Sequence, residues 1–147
     1  MTSVLIIPQV LRDELERQAR AAFPRECCGL IEGTKEDATF RASALHATRN
    51  SSPEPDRFEI DPAEQIRILR ALREKGRAII GCYHSHPGGE AEPSARDSAG
   101  AFEAQFVWLI VGLREAGEVR LAAFVSDASG FRPMDLGLLD RAGGQTL

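Results

Sequence analysis

No apolar run in these 147 residues approaches the length of a membrane span. The first residues, Met1-Thr2-Ser3-Val4, carry neither the basic segment nor the cleavage pattern of a secretory signal. Cysteine is scarce. Cys27 and Cys28 are adjacent and Cys82 is isolated, a poor basis for a disulfide framework and a better fit to reduced thiols, so a cytoplasmic location is the expectation. There is no basic stripe either: 18 lysines and arginines are scattered among 22 acidic residues, for a net charge of −4, which speaks against nucleic-acid binding. Internal repeats and low-complexity segments are also lacking. The P-C-x-x-C and H-x-E patterns that a zinc deaminase needs do not occur.

What is present is ordinary for one globular domain spanning residues 1–147, with 43% hydrophobic and 27% charged residues. Val4 to Ile7 reads as a first strand. Pro8 opens a helix with Leu11, Leu15, Ala19 and Ala22 at helical spacing, ended by Pro24. A second strand runs from near Glu26 to Gly33, a polar turn covers Thr34 to Asp37, and a third strand covers Thr39 to Ala47. Residues Arg49 to Arg57 are a loop by composition, and a candidate for contact with substrate. Asp61-Pro62-Ala63-Glu64 starts a second helix, with Asp61 as cap, Pro62 at the first position and Glu64 completing a capping box. Ile66, Leu69 and Leu72, with Ile68, form its expected buried stripe, and Gly76 ends it. A central strand follows from Ala78, then a short helix from Ser94 to about Glu103. Strands then cover Phe106 to Val111, Val119 to Val125 and Phe131 to Met134, and Ala142 to Leu147 is expected to fray. This interleaving predicts an α/β protein with a mixed sheet flanked by helices.

The chemistry concentrates in Tyr83-His84-Ser85-His86-Pro87-Gly88-Gly89 and the following Pro93-Ser94-Ala95-Arg96-Asp97. Alternate residues of a strand share a face, so His84 and His86 aim two imidazoles at one point before Pro87 and the glycines turn the chain. With Asp97 they make a three-ligand set that suits zinc and leaves a fourth position open. An H-x-H at a strand end also describes a pair of surface or hydrogen-bonded histidines, and Ser94 and Asp97 also describe an N-cap and first turn of a helix. Glu26 is either a solvated carboxylate at a strand start or, beside apolar Cys27-Cys28-Gly29-Leu30, a partly buried one able to act as a general base. His46 has no ligand-type neighbour at useful spacing and reads as a bystander. The cysteines read as small buried hydrophobes rather than as nucleophiles, which need an activating partner.

His84-Ser85-His86-Pro87, six residues, then Ser94-x-x-Asp97, with Glu26 far upstream in Pro24-Arg25-Glu26-Cys27-Cys28-Gly29, resembles the signature of the JAMM (MPN-plus) metalloproteases in their small stand-alone bacterial form. Asn50 and Arg57-Phe58-Glu59-Ile60 resemble those members less specifically. The resemblance implies a cytidine-deaminase-like α/β sandwich and a hydrolase carrying one Zn²⁺ on His84, His86 and Asp97. It further implies Glu26 as general base and Ser94 as oxyanion donor. The implied reaction is cleavage after the Gly-Gly tail of a ubiquitin-like protein. The short segment after Asp97 favours a sulfur-carrier type of partner. The competing expectation is a non-catalytic MPN scaffold, against which the complete set of five polar positions counts.

Overall fold

In the computed structural model, the described residues are 2–54, 57–89, 91, 105–114, 117–128, 130–139 and 145–146. Among them the order is β1 (Val4–Pro8), α1 (Gln9–Ala22), β2 (Cys28–Glu36), β3 (Thr39–Thr48), α2 (Pro62–Glu74), β4 (Ala78–His86), β5 (Phe106–Leu113), β6 (Val119–Asp127), β7 (Gly130–Leu139) and β8 (Gln145–Thr146). The strands lie in the order β1-β3-β2-β4-β5-β6-β7-β8, and a further parallel pairing of β1 with β7 brings the two ends of the sheet together. β4 and β5 run parallel at the centre, whereas β2 meets both β3 and β4 antiparallel. This is the mixed sheet with helices that the sequence predicts.

Strand alternation sorts the core onto the two faces of the sheet. One face carries Ile31, Tyr83, Val107, Leu109 and Val111 against Leu15 and Ala19 of α1. The other carries Leu30, Cys82 and Trp108, with Phe58 and Ile60 from the segment before α2 and Ile68 from α2 itself packed against them. Close approach on the first face requires glycine: a Cβ on Gly29 would lie 2.3 Å from the Tyr83 hydroxyl, and one on Gly81 2.3 Å from the Val107 carbonyl oxygen.

Several elements depart from the sequence reading. β2 continues through Thr34 and Lys35 to Glu36, because β3 pairs with it along that length, and the turn is confined to Asp37 and Ala38, with Asp37 at φ +54°. Asp61 does cap α2, accepting from the Ala63 amide, but Glu64 completes no capping box: its Oε2 accepts from the Arg49 amide at 2.7 Å. The buried face of α2 is Leu72 and the partly buried Ile68, while Ile66 (51%) and Leu69 (37%) are exposed. β7 extends beyond Met134 to Leu139 because β1 offers it a second partner. At the C-terminus Gln145 and Thr146 pair with Leu139 and Leu138 instead of fraying. The helix expected from Ser94 lies outside the described residues.

Candidate metal centre

Register builds the site. The β2–β4 ladder begins at Cys28 opposite His84 and runs antiparallel. Two positions earlier in the chain therefore bring Glu26 level with His86, on the face that His84 and His86 share. The loop holding Glu26 is fastened to β4 by reciprocal bonds: the Cys27 amide donates to Ser85 Oγ at 2.8 Å, and the Ser85 amide donates to the Cys27 carbonyl at 3.1 Å. Ser85, between the histidines, is itself buried.

The outcome is a buried trio. A carboxylate oxygen of Glu26 and a nitrogen of each of His84 and His86 lie within 4.8 Å of one another, and all three residues are buried. The two Nε2 atoms are 3.0 Å apart, close enough for one ring to donate to the other. Phe58 stacks on the His84 ring with centroids 4.1 Å apart and planes 14° apart, and Trp108 stands edge-on to both rings at 6.1 Å. These aromatics cover the imidazole on its apolar side and restrict its rotation.

The donor set fits a cation. Tetrahedral bonds of about 2.0–2.1 Å would set two imidazole nitrogens roughly 3.3 Å apart, close to the spacing observed. Imidazole nitrogens beside a carboxylate oxygen make a mixed N/O set of the kind transition-metal ions take, unlike the all-oxygen sites of calcium and magnesium. Three potential ligand groups of two chemical types converge on one buried point, the arrangement that a bound cation requires. Glu26, His84 and His86 of the sequence-derived set are thus brought together. Ser94 and Asp97 lie outside the described residues.

The other candidates separate cleanly. His46 bonds Glu32 through Nε2 at 2.9 Å, and Arg77 Nε meets the second oxygen of the same carboxylate at 3.0 Å. This arrangement satisfies a buried glutamate, and among the described residues no third His, Cys, Asp or Glu joins the pair to make a metal group. Burial pushes the Cys27 thiol up, and it pushes Cys28 up to about 11. A raised thiol is the reverse of what a nucleophile needs near neutral pH. Phe58 and Asn50 have roles that the sequence reading did not assign. Asn50 donates from Nδ2 to the Glu26 carbonyl at 3.0 Å, and Phe58 stacks on His84. The run Asn50-Ser51-Ser52-Pro53 signals a side-chain-ordered turn, but nothing in it indicates which ring the turn delivers.

Comparisons with known proteins agree with this architecture. Residues 8–125 match the family of prokaryotic homologs of the JAB domain. The chain is 38% identical over 104 residues to a desampylase of Haloferax volcanii, covering 67% of this chain and 73% of that one. It is 27% identical over 121 residues to the CysO-cysteine peptidase of Mycobacterium tuberculosis, covering 82% of each. A solution structure of a Desulfitobacterium hafniense protein superposes with a TM-score of 0.82 at 27% identity, over 93% of this chain and 94% of that one. A mixed sheet that sets a buried Glu-His-His trio at its central strand, on a sequence matched over most of its length, places the chain in the prokaryotic JAB-domain family.

Proposed function

We propose that this protein is a zinc-dependent peptidase or isopeptidase that cleaves after the Gly-Gly tail of a ubiquitin-like protein, of the sulfur-carrier type. The observation that carries the reading is the trio of Glu26, His84 and His86, buried and converged within 4.8 Å on a chain of this family. The names of its relatives, a desampylase and a CysO-cysteine peptidase, support hydrolysis of a protein conjugate. Among the described residues no helix is long and apolar enough to cross a membrane.

His84 and His86 would hold the ion, with Asp97 as third protein ligand. Zinc, when bound, polarises the scissile carbonyl and acidifies water. Glu26 accepts the proton of the attacking water and returns it to the leaving amine, a role worth typically about 10²–10⁴-fold in rate. Ser94 donates to the developing oxyanion. Phe58 and Trp108 keep bulk water from the apolar side of His84, which strengthens the electrostatic interactions within the site.

The test combines metal analysis with turnover of a sulfur-carrier protein joined through its Gly-Gly end to a reporter. The purified wild type should carry about one zinc per chain and release the reporter, whereas His86→Ala should do neither. Glu26→Gln should keep its zinc and lose turnover. A fully active Glu26→Gln enzyme would remove the base from the mechanism. A wild type that takes up no zinc under reducing conditions would replace the enzyme with the scaffold.

A further inference from the structure

We infer that Asn50 is a positioning residue for Glu26: one side-chain amide ties the main chain of the proposed base to the loop that stacks Phe58 on His84. The inference rests on the reading of Glu26 as the base, and goes beyond it by naming what sets the base against the imidazoles.

Asn50 uses its whole hydrogen-bonding capacity. Nδ2 donates to the carbonyl of Glu26 at 3.0 Å and to that of Arg57 at 2.9 Å. Oδ1 accepts from the amides of Ser52 and Glu59, both at 3.0 Å. The reversed amide would face two N–H groups with its own NH₂, and two carbonyls with its own oxygen, so the orientation is unambiguous. The loop closes around this amide. Ser51 donates its amide to the Glu59 carbonyl at 2.9 Å, and Asn50 and Ile60 form an isolated bridge. The Arg25 guanidinium adds a bond to the Ser52 carbonyl at 2.7 Å.

Two consequences meet at the site. Phe58 lies between Arg57 and Glu59, the two residues that Asn50 grips, so the amide holds both flanks of the ring that stacks on His84. Glu26 precedes the first ladder pair, Cys28 with His84, so strand pairing does not hold its main chain. Asn50 on its carbonyl and Ser85 on its neighbour Cys27 do so instead. A displacement of about 1 Å in a catalytic group is enough to cost about a hundredfold in rate. Asn50 thus couples the segment that carries the Glu26 carboxylate to the ring that stacks on the His84 imidazole.

The experiment is a double-mutant cycle with Asn50→Asp and Glu26→Gln in the zinc-loaded enzyme, with the Gly-Gly-linked reporter as substrate. Aspartate can still accept from Ser52 and Glu59, but it loses both donors and sets a carboxylate against two carbonyl oxygens. Asn50→Asp alone should lower kcat about 10–100-fold, the usual range for partners that orient a metal site. KM should stay within about twofold, with zinc content unchanged. In the Glu26→Gln background the same substitution should cost far less than in the wild type, since its action through Glu26 is already lost and only that through the Phe58 stack is left. A separate readout uses the metal-free protein: hydrogen exchange at residues 25–28 should accelerate in Asn50→Asp while β5 stays protected. Full independence in the cycle, a change confined to KM, or unaltered exchange at 25–28 would each overturn the inference. A fully active Glu26→Gln enzyme would overturn the base assignment instead, and the exchange experiment would still decide the tie to Asn50. Should Asn50→Asp fail to fold, Asn50→Ser removes the donors without adding charge and carries the same measurements.

Discussion

The two faces of the central strands make opposite use of the same backbone. On the α1 face, Tyr83, Leu109 and Val111 pack with Leu15, Ile31 and Phe40 into an almost purely apolar layer, whose main polar feature is the Tyr83 hydroxyl donating to Gln18 at 2.7 Å. On the α2 face the neighbouring residues of the same strands are His84, Cys82 and Trp108, and the layer ends in the buried trio of Glu26, His84 and His86. Moving one residue along β4, from Tyr83 to His84, crosses from the apolar layer to the one that holds the candidate metal site. Desolvating a carboxylate and two imidazoles costs free energy, which their own partners offset only in part. The apolar face offsets that cost, and because it is close-packed it also keeps the strands that carry the candidate ligands from drifting.

The contrast can be broken or sharpened in graded steps. The largest effect belongs to Glu26→Gln, which should lower turnover about 10²–10⁴-fold while leaving the melting temperature unchanged or raised, read by scanning calorimetry beside the activity assay. A large loss of stability would mean that the α2 face also bears the fold. Next comes Leu109→Ala on the α1 face. It should cost about 2–5 kcal/mol in urea denaturation, with kcat per folded molecule preserved. A loss of kcat beyond the loss of folded protein would show that the two faces are coupled.

A pH effect comes third. The Cys28 thiol titrates at about 11 when folded, because burial disfavours the thiolate, and near 9 when unfolded. Above pH 9 the unfolded chain binds fewer protons than the native one. The contribution is therefore fully present below pH 9 and is lost as pH rises towards 11. Wild-type stability should fall across that window more steeply than that of Cys28→Ala, as urea midpoints at pH 8, 9.5 and 11 would reveal. The smallest effect separates the two sides of α2 itself. Ile66→Gln, at a position 51% exposed, should change stability by no more than about 0.5 kcal/mol in urea denaturation. A cost near that of a core residue would put Ile66 back on the packed side of the helix.

Much of this was legible in the chain. The alternation of His84 and His86, their place at the end of an apolar run, the helix start at Asp61 and the continuous apolar β5 all follow from local chemistry that neighbouring residues settle among themselves. Where the reading failed, a partner elsewhere in the fold decided. Period 3.6 identifies Ile66, Leu69, Ile68 and Leu72 as recurring positions, but which of them face inward depends on how α2 is rotated on the sheet. That rotation buries Ile68 and Leu72. Thr34 to Glu36 look like turn residues, yet they extend because β3 is there to pair with them. Gln145 and Thr146 are ordered by two residues of β7 rather than by anything in their own composition.

The sequence by itself determined the candidate ligand types, the strand that aims two of them at one point, and the family to which the motif points, because each of these depends on residue identity and short spacing. Tertiary structure alone decided that Glu26 meets them. Its distance along the chain carries no proximity, and the antiparallel register of β2 on β4 supplies it. The same holds for Phe58 on His84 and for Asn50 on the Glu26 carbonyl. A stack and a hydrogen bond are contacts between surfaces, and those surfaces exist only once the sheet has set its register and the loop has closed over it.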